Sequence, residues 1–169
     1  MNTAKSIIAL NKFLCFHNER FENYEINILE TNEQDIKNLL NKFQEKCFDC
    51  KSELINEITK LGGNPIQDSV TSKKFLHFWL DIKHVFVHTN REDLLQICEY
   101  NEFLNIKRFT EILDKNIQFL NYRQNQMLNK QLILLQENHD YLQTIGKKLE
   151  VKQNDSNVNK NKIENQPTF

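Results

Sequence analysis

Helix-breaking residues are almost missing from this chain. Its 169 residues include only 3 glycines and 2 prolines, and three of these five lie in one short stretch, LGGNP, residues 61–65. Glycine disfavours a helix interior by about 1 kcal/mol and proline by about 3 kcal/mol, so long stretches without either favour helix. The scarcity predicts an all-α fold, and the length suits a single domain.

An excess of charge of one sign is also missing, because 22 Lys and Arg residues face 23 Asp and Glu residues. A phosphate backbone attracts a basic surface, so we expect no nucleic-acid partner. No apolar run approaches the roughly 20 residues of a membrane span, which predicts no membrane partner. Asn11 and Lys12 interrupt the apolar stretch of the opening segment, which argues against a secretory signal.

The cysteine count is low for a disulfide-stabilised protein. Four cysteines occur, namely Cys15, Cys47, Cys50 and Cys98. A chain of this length with so few turns does not need disulfides for stability. We therefore expect reduced thiols and a cytoplasmic location.

Two long helices are predicted in the first third of the chain. A heptad repeat over residues 3–30 places apolar side chains on one face. The sequence TNEQ, residues 31–34, is typical of a capping box and predicts a second helix that runs to Leu61. Gly62 then suits a left-handed C-terminal turn, and Pro65 prevents the helix from continuing. The two helices must be antiparallel.

Three further helices are predicted after this hairpin. Residues 70–87 place aromatic and apolar side chains on one short helical face, which predicts a crossover helix. The sequence TNRE, residues 89–92, is typical of a second capping box and begins a helix that ends near Lys115. A last helix carries apolar residues at helical spacing from Leu120 to Leu149. The remainder, residues 151–169, is rich in Asn and Lys and is predicted to be a disordered polar tail.

The predicted fold is an all-α, ferritin-like antiparallel four-helix bundle over residues 1–150, with an extra short crossover helix between its second and third helices. Two long hairpins joined by one crossover give this topology.

Several segments resemble a known family. LGGNP, the aromatic stretch KFLHFWLDIKHVF, the stretch LLQICEYNEFLNIKRFTEIL and ENHDYL are similar to a bacterial ferritin-like four-helix-bundle family of uncharacterised function. The resemblance implies the bundle fold and a bacterial cytoplasmic setting, and it implies no substrate. In the stretch NERFENY, Arg20 stands where that family usually has the glycine of an acidic-glycine turn.

A di-metal centre in a ferritin-like bundle needs a Glu from each of two helices and a Glu-x-x-His motif from each of the other two. The chain has only part of this set, since Gln136 precedes His139 and Asn56 follows Glu53. We predict that any metal ion, iron, manganese or zinc, is held by Glu53, Glu99, Glu102 and His139. The incomplete set argues against a di-iron oxidase.

A second group of inward-facing residues could provide softer ligands. His17, Cys47 and Cys50 lie on the first two helices, and counting back from the turn near Thr31 places His17 beside Cys47. Core packing is the expected role of these cysteines, and Cys47 with Cys50 could alternatively form a thiol sensor. Glu102 faces the core and needs a partner, for which His17 or His139 is a candidate.

No nucleophile–base pair, phosphate-binding glycine loop or acid–base carboxylate pair is present, so no catalytic residue is predicted. The leading hypothesis is a non-catalytic interaction or stress-associated protein that forms a homodimer. The alternative is a metal-binding relative of ferritin with a degenerate site.

Overall fold

The computed structural model describes residues 2–67 and 91–164, with side chains to Lys148. Four long helices make up these residues, and no strand occurs among them. They are α1 (Thr3–Glu30), α2 (Gln34–Lys60), α3 (Arg91–Asn116) and α4 (Tyr122–Glu164), with a short 3₁₀ helix (Ile117–Phe119) before α4. No helix in the described ranges is both long and apolar enough to cross a membrane. The prediction of an all-helical bundle is confirmed.

The helices form two antiparallel hairpins, α1 with α2 and α3 with α4. The start of α3 lies beside the start of α2, where Arg91 pairs with Asp35. The end of α3 lies beside the first half of α1, because Lys12 Nζ donates to Asn116 Oδ1 at 2.9 Å. Helices α2 and α3 are therefore parallel.

The ends of the first hairpin correct one detail of the sequence interpretation. Thr31 Oγ1 accepts from the Glu33 amide at 3.2 Å, but the Gln34 side chain donates to Asn38 instead of reaching back to Thr31. The predicted capping box is therefore wrong, since α2 begins at Gln34 with Glu33 as its N-cap. At the other end Gly62 has the expected positive φ of 75°.

The chain after α2 folds back over α1. Asn11 Oδ1 accepts from the Ile66 amide at 2.9 Å, while its Nδ2 donates to the Asn64 carbonyl at 3.2 Å. Two turns further along α1, Asn18 Nδ2 donates to the Ile66 carbonyl at 3.3 Å. These two asparagines satisfy the backbone of the loop, which explains why both are buried.

Two predicted elements fall partly or wholly outside this description. The crossover helix, residues 70–87, and the start of the second capping box at residue 89 lie outside the described residues. Helix α4 is described without a break to Glu164, past residue 150, at which the sequence predicts the end of the bundle. The domain boundary and the disordered tail stay predictions.

The core consists of two apolar clusters at opposite ends of the bundle. One cluster surrounds Phe43 and Leu95 near the turn between α1 and α2, and the other surrounds Phe16 and Phe109 near the turn between α3 and α4. Arg20 and Glu102 lie between them along the helices, while Gln131 lies within the second cluster, between Leu128 and Leu135 of α4; all three are buried. We call the buried polar side chains in this part of the bundle the polar layer; it comprises His17, Arg20, Tyr24, Glu102 and Gln131.

Gly63 provides a test of the packing between the loop and the first hairpin. A Cβ atom at this position would lie 2.7 Å from Ile7 Cγ2 and 3.0 Å from Ile58 Cγ2. We expect Gly63→Ala to lower the free energy of unfolding by about 1–3 kcal/mol, as overpacking does. Gly146 in α4 has open space around it, so Gly146→Ala should raise the same quantity by about 0.5–1 kcal/mol. Urea denaturation measures both, and a neutral Gly63→Ala would contradict the packing described.

Candidate functional site

The centre of the polar layer is an ion pair between α1 and α3. Arg20 donates from its guanidinium to Glu102 Oε2 at 3.1 Å, and both side chains are about 95% or more removed from solvent. Tyr24, one turn after Arg20, donates its hydroxyl proton to Glu102 Oε1 at 2.5 Å and accepts from Arg20. Both carboxylate oxygens of Glu102 therefore have a donor from α1.

Aromatic rings enclose the Arg20 guanidinium. Its central carbon lies 5.2 Å from the centre of the Tyr24 ring and 5.9 Å from that of Phe16. Positive charge is attracted to ring faces, and this attraction is stronger away from water. The surroundings of Arg20 thus stabilise its charge from two directions.

The pKa values of this group follow from burial and from the charges nearby. Burial alone would lower the pKa of Arg20, but its neighbours, Tyr24 and Glu102 foremost among them, together raise it overall. Burial raises the pKa of Tyr24 well above its usual value, although the charge of Arg20 opposes this. Arg20 therefore keeps its charge, and Tyr24 keeps the proton that it donates to Glu102.

A second buried carboxylate is paired in the same way. Glu19 is 3% exposed and forms an ion pair with Arg108 of α3, whose own side chain is partly exposed. Glu19 and Glu102 are the buried carboxylates of the described residues. Each one has an arginine as its partner, so neither is available as a free base.

His17 lies on the other side of the polar layer, between α1, α2 and α4. Its Nε2 contacts Gln131 Oε1 at 3.1 Å, so Nε2 carries the imidazole proton, and its Nδ1 lies 3.7 Å from Cys47 Sγ. Gln131 in turn donates to the Cys50 carbonyl at 3.3 Å and to Glu53 Oε2 at 3.0 Å. The predicted proximity of His17 and Cys47 is confirmed.

Burial keeps His17 and the buried cysteines uncharged. It lowers the pKa of His17 well below its usual value, and the charge of Arg20 lowers it further. Burial also raises the pKa of the Cys47 thiol, and it raises the pKa of Cys50 and of Cys98 to about 12. A thiolate is the reactive form of cysteine, so these thiols are poorly suited to a sensor or a nucleophile.

The structure separates the four predicted metal ligands. Glu99 and His139 lie together on α3 and α4, with Glu99 Oε1 3.7 Å from His139 Nε2, while Asp140 Oδ1 lies 3.2 Å from His139 Nδ1. Glu102 is held by Arg20, and Glu53 lies near Gln131. Within residues 2–67 and 91–148, no three His, Cys, Asp or Glu side chains are grouped to hold a metal ion. The metal site stays a prediction.

The partner of Glu102 differs from the one expected. Neither His17 nor His139 contacts it, and Arg20 and Tyr24 do instead. Arg20 was missed because it lies beside the apolar heptad positions and a charged residue there is usually solvated. The buried amides of α4 were missed too, although Gln124, Gln131 and Asn138 recur every seven residues, which is a signal for one helix face.

The titration of His17 can be detected in the stability of the protein. Because the folded-state pKa of His17 is lowered, neutral His17 stabilises the fold above the unfolded-state pKa of about 6.5, and this stability is lost as pH falls below it. We expect the free energy of unfolding to fall by up to about 1.4 kcal/mol per pH unit between about pH 6.5 and 5. Urea titrations at several pH values measure the slope.

The matched control is His17→Gln, whose amide cannot titrate but can still donate to Gln131. This variant should show a clearly shallower slope over the same pH range. An unchanged slope would show that His17 is not the titrating group.

Comparison with known proteins places the chain in one family. Residues 6–115 match the model of a family described as a domain of unknown function (DUF2383), and the chain belongs to that family. The match covers all of α2 and nearly all of α1 and α3, so it includes Arg20, Tyr24 and Glu102 but not the amides of α4. No curated protein and no solved structure matches the chain.

Proposed function

We propose that this member of the family is a non-catalytic protein of the bacterial cytoplasm that acts by binding through its helix surfaces, as a homodimer. The observation that carries the proposal is the pairing of both buried carboxylates, Glu19 and Glu102, with arginine. A general base or a metal ligand needs a free carboxylate, and freeing Glu102 would leave the buried Arg20 uncompensated.

The contact between Cys47 and His17 does not change this conclusion. A cysteine nucleophile needs a thiolate beside a positively charged or proton-accepting histidine, and it needs access for its substrate. Here burial favours the neutral thiol and the neutral imidazole. The two side chains are 1% and 0% exposed, so no substrate reaches the sulfur in this conformation.

The course of the chain supports a ferritin-like bundle. Two antiparallel hairpins with parallel second and third helices require one long connection between them, and ferritin-like folds have one such crossover. In those folds the metal lies between the helices at mid-bundle. In this protein the guanidinium of Arg20 provides a buried positive charge between the helices, beside Glu102.

The surface feature that favours self-association is an aromatic patch on α3 and α4. Tyr100 and Phe103 are 58% and 50% exposed, and their rings stack with centres 6.4 Å apart. The Phe103 ring lies 6.3 Å from the His139 ring. Clustered exposed aromatic side chains are typical of protein interfaces, and a two-fold dimer would bring the same patch together from both copies.

Solution mass tests this proposal. Sedimentation equilibrium of the full chain should give about twice its mass of 20.3 kDa. Phe103→Ser should raise the dissociation constant by at least about thirtyfold, because a central aromatic residue in an interface contributes about 2 kcal/mol or more.

Tyr141→Ser is the matched control, since Tyr141 is 53% exposed and lies on another face of α4. It should leave the dissociation constant unchanged. A monomer at all concentrations would contradict the homodimer, and equal effects of the two substitutions would contradict the aromatic patch as its interface.

A further inference from the structure

Helices α2 and α4 are joined by a series of polar contacts. From one end to the other, Lys46 Nζ donates to Asn138 Oδ1 at 3.2 Å, Gln131 donates to Glu53 at 3.0 Å, and Gln124 donates to Glu57 at 3.0 Å. The three α4 amides are buried, and they recur every seven residues along that helix. Each contact satisfies a buried amide from α4 with a side chain from α2.

The gap between the two helices opens into a groove at the Glu57 end. The groove has a volume of about 370 Å³ and takes its walls from the end of α2 and the start of α4. This volume is within the roughly 300–1,000 Å³ of small-molecule sites. Glu53, Glu57 and Met127 lie in it with three cations, Lys60, Arg123 and Lys130.

The charges in this groove are not paired with one another. Among the described residues, none of the three cations forms an ion pair, although two carboxylates line the same groove. Glu53 and Glu57 accept hydrogen bonds from neutral amides instead. Glu57 is half-buried and accepts from the buried Gln124, so its carboxylate lies toward the floor of the groove. Glu53 is exposed, as are Lys60, Arg123 and Lys130 at the rim.

We propose that this groove binds a small zwitterion of the ω-amino acid class. The ammonium group would lie against the half-buried Glu57, with the exposed carboxylate of Glu53 beside it, because two carboxylates favour a positive charge. The carboxylate of the ligand would reach the cations at the rim, and its aliphatic spacer would cross the half-buried side chain of Met127. A ligand with both charges can pair with the carboxylates and with the cations of the groove, whereas a simple amine or a simple acid can pair with only one of these two sets.

Calorimetric titration of the full chain tests the proposal with a series of different spacers: glycine, γ-aminobutyrate and 6-aminohexanoate. Butylamine and butyrate serve as ligands that carry only one of the two charges. We expect at least one member of the series to bind at least about tenfold more tightly than either of these. No binding of any member up to about 10 mM, or equal binding of butylamine or butyrate, would overturn the proposal.

Two variants locate the site. Glu57→Gln removes a charge from the floor but keeps an oxygen that can accept from Gln124, so it should weaken binding of the best ligand at least about tenfold. Glu45→Gln makes the same change at an exposed position of α2 outside the groove and should leave binding unchanged. Equal affinity in the wild type and Glu57→Gln would overturn the assignment of the site.

Discussion

The carboxylate of Glu102 imposes the main constraint on this bundle, because it lies between α1 and α3 with almost no access to water. A buried charge is costly unless a partner and further hydrogen bonds compensate it. Arg20 provides the opposite charge and Tyr24 a second donor, both from α1. This requirement fixes the rotation of α1 relative to α3, since Arg20 and Tyr24 must face Glu102 together. The adjoining pairs Phe16 with Phe109 and Glu19 with Arg108 follow from the same rotation.

The two hairpins contact each other through different kinds of side chain on the two sides of the bundle. Where α1 meets α3, aromatic rings and arginine pairs fill the interface. Where α2 meets α4, buried amides contact carboxylates and a lysine, and the two helices leave a groove at one end. Polar side chains specify one alignment of a helix pair more strictly than apolar ones, at some cost in stability. We infer that the amides of α4 fix its position along α2.

The helices and most of the core could be predicted from the sequence, because the helical spacing of apolar residues and the turn at Gly62 depend on local interactions. The bounds of α1 and the end of α2 agree with the sequence prediction to within one residue. The partner of Glu102 could not be predicted, since it depends on which face α1 turns toward α3, and heptad spacing alone does not determine that face. The prediction that the buried carboxylate of Glu102 needs a partner is confirmed, whereas the predicted partners, His17 and His139, were wrong. The capping box at Thr31 failed because Gln34 has another partner, Asn38, within reach.

A double-mutant cycle on Arg20 and Glu102 tests the central claim most directly. Arg20→Met and Glu102→Gln should each lower the free energy of unfolding by about 3–5 kcal/mol, because each leaves one buried charge uncompensated. The double variant has neither charge, so its loss should be smaller than the sum of the single losses by at least about 2 kcal/mol. Chemical denaturation of the four proteins under one set of conditions gives the coupling. Additive losses would contradict the account, since they would show that the two charges do not depend on each other.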